Sequence, residues 1–322
     1  MNISRVLVSI VSWNNCQQTL DCIASVLASE DVDVEIVLVD NASDDDTVEQ
    51  VRGAYPSVII IENDSNIGYA GAHEAAIAIA RSRSISLLLI MNNDISVGRE
   101  AISNLIKAYS QCGEAIYGAV PLAGDTSQQI ETQRVLIAKK FLRLPYSEHL
   151  FPLRPYLFYG DVFGNHSPDE QRCYPVAAIS GSVMLLPLSI VHTHGFIDTN
   201  FFLYSEEIDY CFRLQSAGIP SYLVTNAIVQ HVGSASSSIS DSVKDVTTYY
   251  RIRNQIIRIR RYQSWAMVFG VIIKNILLLV LLIAQFNYTR AQFLLLGINH
   301  GIRGIMGKTI APEKFINTKN RN

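Results

Sequence analysis

An α/β fold with a mostly parallel central sheet is what the first hundred residues of this chain predict. Three observations carry it. Short apolar runs without alternation recur at 6–11, 35–39, 58–61 and 87–91, as expected of strands buried on both faces. Segments with helical spacing separate them, the signature of βαβ units. Each run also exits into polar residues, on the edge where an open α/β sheet binds its ligand.

The first strand, 6–11, ends at Ser12-Trp13-Asn14-Asn15, and Leu20, Ile23 and Leu27 then mark one face of a helix. The run at 6–11 is interrupted by Ser9 and lacks a following small-residue cleavage site, so it reads as a strand and not as a secretory leader. The second strand ends at Asp40-Asn41. Ser43 is placed to cap the next helix, with Asp44, Asp45 and Asp46 in its first turn, where the helix dipole favours acids. Gly53 and Pro56 close that helix. The third strand ends at Glu62-Asn63-Asp64. Asn66-Ile67-Gly68 then opens an alanine-rich helix to about 81, where backbone N–H groups could face a phosphate or simply form a turn. The fourth strand ends at Asn92-Asn93-Asp94. That triplet is either a polar turn or the seat of a metal-binding acid. No G-x-G-x-x-G follows the first strand and no P-loop occurs.

A helix and a further strand at 113–121 follow, and then regularity is lost from 122 to 172, with aromatics and prolines crowding 151–163. Such a segment is a functional loop or lid, or a surface excursion packed on its own aromatics. Order returns over 176–186. Ser205 reads as the cap of a helix carrying Glu206, Glu207, Asp209 and Arg213, with Gly218 and Pro220 as its stop. Asp209 and Arg213, at i and i+4, are placed for an ion pair. Glu207 points elsewhere and is either a general base or an acid suited to the helix start. His231, closing a later strand, is a metal ligand or a structural imidazole.

With 322 residues, 49% of them apolar, the chain has material for a full core in a large domain plus an appendage, or in two domains, and its composition argues against global disorder. Its net charge of −3 argues against a nucleic-acid binder. Five cysteines with no CxxC pair suggest neither a zinc site nor a disulfide framework, and they fit a reducing compartment. The domain division expected is 1–240 and 241–322. In the second part, arginines crowd 251–261 ahead of the apolar stretch 266–284, which Lys274 and Asn275 interrupt. A central Lys costs a spanning helix roughly 2.5–3.5 kcal/mol, so helices lying on a membrane surface are favoured over a span. The alternatives are a buried helix or an interface between copies of the chain.

Taken in order, Asp40-Asn41-Ala42-Ser43, Asn66-Ile67-Gly68, Asn92-Asn93-Asp94 and Tyr204-Ser205-Glu206-Glu207-Ile208-Asp209, with Arg213 and His231 after them, resemble the family 2 glycosyltransferases of the Rossmann-like GT-A fold. The likeness is strongest to rhamnosyltransferase-type members that build O-antigen and other surface polysaccharides. It covers about 5–262, including Tyr249-Tyr250-Arg251-Ile252-Arg253-Asn254, similar to a segment those enzymes carry after the catalytic domain.

The resemblance implies that Ser12, Asp40, Asn66, Gly68 and Asn93 contact a dTDP- or UDP-sugar, with Asp40 on the base. It implies that Asp94, with His231 near it, holds Mg²⁺ or Mn²⁺, and that Glu207 is the base of an inverting transfer, with Glu206, Asp209 and Arg213 in support. A lipid-linked glycan would be the acceptor, at the cytoplasmic face of the inner membrane. Two positions depart from the family pattern: Asn92 stands where its DXD has an acid, and Glu206-Glu207 replaces Glu-Asp. The first motivates an alternative, a catalytically weakened nucleotide-binding subunit of a membrane assembly complex. A nucleotidyltransferase is a third reading, but 9–15 lacks the Gly-rich basic loop such enzymes want.

Overall fold

The computed structural model describes residues 5–123, 173–231 and 241–312, so the segment 151–163 and nearly all of 122–172 lie outside the described residues. The chain divides into two compact units. Among the described residues the first holds 5–123, 173–197 and 210–231, and the second holds 198–209 and 241–312.

The first unit is built on a mixed sheet. Strands β1 (Arg5–Ser12), β2 (Asp33–Asp40), β3 (Ile59–Glu62) and β4 (Leu87–Asn92) alternate with α1 (Cys16–Leu27), α2 (Thr47–Ala54) and α3 (Tyr69–Ser82). These four strands pair in parallel, in the order β3-β2-β1-β4. Their cores, Val6–Val8, Val37–Val39 and Leu88–Met91 among them, are almost wholly buried, which is why their sequences do not alternate. In α3, Ala70, Ala72, Ala76 and Ala80 are buried, and side chains this small let the helix lie close to the sheet.

Beyond β4 the sheet departs from the parallel expectation. Strands β5 (Ile95–Val97), β6 (Ile116–Ala123), β7 (Cys173–Val176), β8 (Val183–Pro187) and β9 (Ser221–His231) continue it, with α4 (Ala101–Cys112), α5 (Leu188–His194) and α6 (Glu206–Ser216) between them. β8 lies antiparallel between β4 and β6, β6 and β9 are parallel, and β5 and β7 run antiparallel to β9. βαβ alternation has ended here, so nothing local requires parallel pairing.

Three local expectations change. The α1 stripe is Thr19, Cys22, Ile23 and Val26, while Leu27 is exposed. α2 starts at Thr47, so Ser43 is not its cap and the three aspartates precede it. Asp45 instead accepts from the backbone N–H groups of Thr47 and Cys16, both at 3.2 Å, in the local bonding that Asp and Ser favour in turns.

In the second unit, α7 (Asp241–Tyr262), α8 (Trp265–Ala284) and α9 (Tyr288–Arg303) share a core of Ile256, Ile259, Met267, Val268, Val271, Leu282, Leu294 and Ile298. α9 packs closely on α7. A Cβ at Gly297 would lie 2.8 Å from the Tyr249 carbonyl oxygen, and one at Gly301 would lie 2.9 Å from Ile256 Cβ. α8 is long and apolar enough to cross a membrane by length and composition. Its outer face exposes Phe269, Ile273, Leu277, Val280 and Leu281. The two polar residues in its middle separate: Asn275 is buried and donates to the Val271 carbonyl at 2.8 Å, while Lys274 is exposed.

Candidate active site

Strand register assembles the first cluster. Ser12 is opposite Asp40, Val11 opposite Asn92, and Asp40 opposite Glu62, so four parallel strands end within one residue of each other at one edge of the sheet. Ser12 and Asp40 are both buried there. Asn93 ties the edge together: its amide donates to Thr19 Oγ1 at 2.9 Å, to the Asn14 carbonyl at 3.2 Å and to Ser12 Oγ at 3.4 Å. Asp40 accepts from the Ser43 backbone N–H at 2.9 Å and from its hydroxyl at 2.5 Å. Asn41 donates to the Gly68 carbonyl at 3.2 Å and accepts from Ile67 N–H at 3.3 Å, and Gly68 N–H donates to Asn66 Oδ1 at 2.9 Å. Gly68 itself has φ 82°, a left-handed conformation that glycine adopts without penalty. Thus Ser12, Asp40, Asn66, Gly68 and Asn93 are joined through one network at the strand ends. Sequence reasoning missed Thr19 and read Ser43 as a helix cap; the hydroxyls of both complete the network.

Asp94 sits in the turn between β4 and β5. Because Ile95 is opposite His231 in the β5–β9 ladder, the acid falls beside the imidazole. His231 Nε2 and Asp94 Oδ2 are 2.9 Å apart. The other carboxylate oxygen, Oδ1, is buried without a partner among the described residues. An unsatisfied buried oxygen costs about 1–3 kcal/mol and is what a carboxylate shaped for a cation leaves behind. The donor set, one carboxylate and one imidazole, suits Mn²⁺ or Mg²⁺ with oxygen ligands from a diphosphate. No three His, Cys, Asp or Glu side chains converge among the described residues, and of these residue types Asp94 and His231 are the two placed together here.

The acidic cluster belongs to the second unit, whose boundary with the first falls within α6. Before α6 the backbone is strained: Phe202, Tyr204 and Ser205 have φ of 66°, 67° and 70°. Non-glycine residues in this region each cost of order 1–3 kcal/mol and persist only where their surroundings hold them. Here Asn254 and Arg253, both fully buried, do so. The Asn254 amide donates to the carbonyls of Phe201, Leu203 and Tyr204 at 3.0, 2.7 and 2.8 Å. Arg253 donates to the Phe201 carbonyl at 2.8 Å and to Asn254 Oδ1 at 2.8 Å. The basic run thus contains a buried clamp, which a string of arginines does not reveal.

The clamp delivers Glu206 and Glu207 at the start of α6. Burial raises the Glu207 pKa, opposed by the charges of Arg258 and Arg251. Burial and the neighbouring Glu207 charge raise that of Glu206 further. The Asp209–Arg213 pair expected from spacing gives way to other partners. Asp209 bonds Arg261 at 3.1 Å, and Arg213 donates to the carbonyls of His194 and Phe196. A buried acid gains more from a guanidinium that also fills space than from a helical neighbour with carbonyls to satisfy.

Glu206 gives a stability prediction. Its carboxyl binds a proton more tightly folded than unfolded, so the stabilisation is full below about pH 4.3, the unfolded value, and is lost as pH rises through the folded value. Glu206→Gln removes that loss. Its melting temperature should match the parent at pH 4 and exceed it increasingly toward pH 8; a difference constant with pH would show that Glu206 carries no charge cost.

Residues 7–165 match the family described as Glycosyl transferase family 2, and 148–304 match Glycosyl transferase family group 2. The chain belongs to the family 2 glycosyltransferases. The N-acetylglucosaminyl-diphospho-decaprenol L-rhamnosyltransferase of Mycobacterium tuberculosis is 27% identical over 220 residues, covering 65% of this glycosyltransferase and 70% of that enzyme. In fold, the glycosyltransferase is similar to the mannosyltransferase PcManGT from Pyrobaculum calidifontis, solved with GDP-Man and Mn²⁺, with TM-score 0.58, 12% identity, and 94% and 88% of the two chains covered. It is also similar to GalNAc-T7, solved with UDP, GalNAc and Mn²⁺, with TM-score 0.55, 14% identity and 80% of this chain covered, spanning 48% of that longer protein. At these identities the two structures show the fold, which is GT-A-like.

Proposed function

We propose that this glycosyltransferase moves a sugar, rhamnose or a similar hexose, from a dTDP- or UDP-linked donor to a lipid-linked glycan in surface polysaccharide synthesis, with inversion. The observation that carries the reading is Glu207, a half-buried carboxylate with raised proton affinity, held by a strained and clamped backbone. The relative named for GlcNAc-diphospho-decaprenol supports the lipid-linked acceptor.

The mechanism follows from the chain's own groups. Asp40 and Asn93 fix the nucleotide at the strand ends, with Ser12, Asn66 and Gly68 along it. Glu207 accepts the proton of the acceptor hydroxyl as that oxygen bonds to the anomeric carbon. The bond from that carbon to the diphosphate oxygen breaks on the opposite face, and the nucleoside diphosphate leaves with the electron pair. One displacement inverts the centre, so no protein nucleophile is needed. Asp94 and His231 would hold Mg²⁺ or Mn²⁺, which supplies charge neutralisation on the departing diphosphate. A lipid-linked acceptor fits an enzyme working at a membrane, which in this reading is the cytoplasmic face of the inner membrane.

Asp94→Ala should abolish the Mn²⁺-dependent part of the thermal stabilisation by UDP or dTDP and leave the metal-free part unchanged. Equal stabilisation with and without Mn²⁺ in the parent would remove Asp94 and His231 from a metal role. Nucleotide binding with no transfer across a donor and acceptor panel would favour the weakened-subunit reading instead.

A further inference from the structure

The second unit carries a cleft of about 310 Å³ lined by Ile257, Arg260, Arg261, Trp265, Gly304 and Met306. These residues come from the end of α7, the start of α8 and the turn after α9. The walls are part cationic and part apolar, and the two guanidinium groups differ. Arg261 is neutralised by Asp198 at 3.0 Å and Asp209 at 3.1 Å. Arg260 instead donates through Nη1 to the carbonyls of Gly301 and Ile302, at 3.1 and 2.5 Å, and lies 5.5 Å from the centre of the Trp265 ring. Among the described residues none of its recorded partners is a carboxylate. Its position is therefore fixed while its charge stays uncompensated, and its Nη2 and Nε are left to donate to an anion.

An apolar path leads away from this charge. Trp265, 60% exposed, lies 6.5 Å from the Phe269 ring, and Phe269, Ile273, Leu277 and Leu281 then follow along the exposed side of α8 at successive helical turns. A ligand matched to both features has an anionic head and a long hydrocarbon chain. We infer that this cleft binds the phosphate of a lipid whose chain lies along α8. The same chemistry has two sources, an anionic phospholipid or the polyprenyl phosphate carrier of the acceptor. The second source rests on the lipid-linked acceptor proposed above. α8 then lies along a leaflet, with exposed Lys274 reaching toward the headgroups.

Trp265 reports on its own site. The chain has two tryptophans, so Trp13→Phe in the full-length protein leaves Trp265 as the fluorophore. It is titrated with inorganic phosphate, with phosphatidylcholine vesicles, and with the same vesicles containing phosphatidylglycerol or a trace of polyprenyl phosphate. The emission should shift to the blue with the vesicles that carry the anionic lipid, and the response should weaken with salt. Arg260→Gln should weaken this binding about tenfold or more, the loss of a charge-assisted hydrogen bond. Met306→Glu, which puts an acid into the cleft without touching the Arg260 bonds to α9, should do the same and carries the test if Arg260→Gln does not fold.

Saturation by phosphatidylglycerol identifies bulk lipid as the ligand; a response to trace polyprenyl phosphate identifies the carrier. Phosphatidylcholine alone moving the emission as far, no vesicle moving it, or parental affinity in the folded variants would overturn the inference. Binding is read without transfer, so a chain that binds lipid phosphate but transfers no sugar would count against the proposed function alone.

Discussion

Glu207→Gln should lower the transfer rate by roughly 10²–10⁴-fold, the usual contribution of a positioned general base, while donor binding stays within twofold. The substitution keeps the side chain's size and removes its ability to hold a proton. The parent gives a second readout. Because burial raises the Glu207 pKa, kcat/KM should rise with pH along a limb displaced above the ordinary carboxylate range. That limb should disappear in the variant. Unchanged turnover in Glu207→Gln would remove Glu207 from the role of base. Retention of stereochemistry at the anomeric carbon would exclude the single displacement, since a lone base opposite the leaving group can only invert.

Asn254→Ala should be the most damaging change outside the acidic cluster. One buried amide meets three carbonyl oxygens within 3.0 Å. Its loss takes the donor from the Leu203 and Tyr204 carbonyls, at about 1–3 kcal/mol each, while the Phe201 carbonyl keeps Arg253, and it releases left-handed residues of similar cost. Some of that strain relaxes in the variant, so a net destabilisation of about 3–5 kcal/mol is expected, the upper range for point changes. At roughly 2–4 °C per kcal/mol for domains of 150–250 residues, the melting temperature should fall by about 10 °C. Transfer should fall further than the folded fraction accounts for, because the clamp aims Glu207. A variant that keeps full turnover per folded molecule would show the clamp to be structural only. Thermal unfolding and activity normalised to folded protein separate the two outcomes.

Much of the first unit was legible because parallel strands announce themselves. The runs at 6–11 and 87–91 are apolar without alternation, and both became central strands. The order of β6, β8 and β9 was not legible, since antiparallel insertion is decided by packing between distant segments. Ser43 misled because an Asp-Ser turn and a helix cap use the same residue types; only the start of α2 at Thr47 distinguishes them. Asp209 misled for a related reason. Helical spacing names a neighbour, but Arg261, far along the chain, competes and wins. Asp94 and His231 were legible as residue types and as strand ends, and the register of β5 on β9 is what joins them. Arg253 and Asn254 were visible only as part of the Tyr249–Asn254 segment that resembles the family, because burial of a guanidinium leaves no trace in composition.

That register also sets an order of assembly. The contacts of the strand-end network join residues nearer in the chain: Asn41 and Gly68 are 27 positions apart, Ser12 and Asn93 are 81. The Asp94–His231 contact spans 137. On the ribosome, the strand that carries His231 is still unmade when the strand-end network has all its residues. The nascent chain therefore holds every residue of the strand-end network before the residue that pairs with Asp94 has been added.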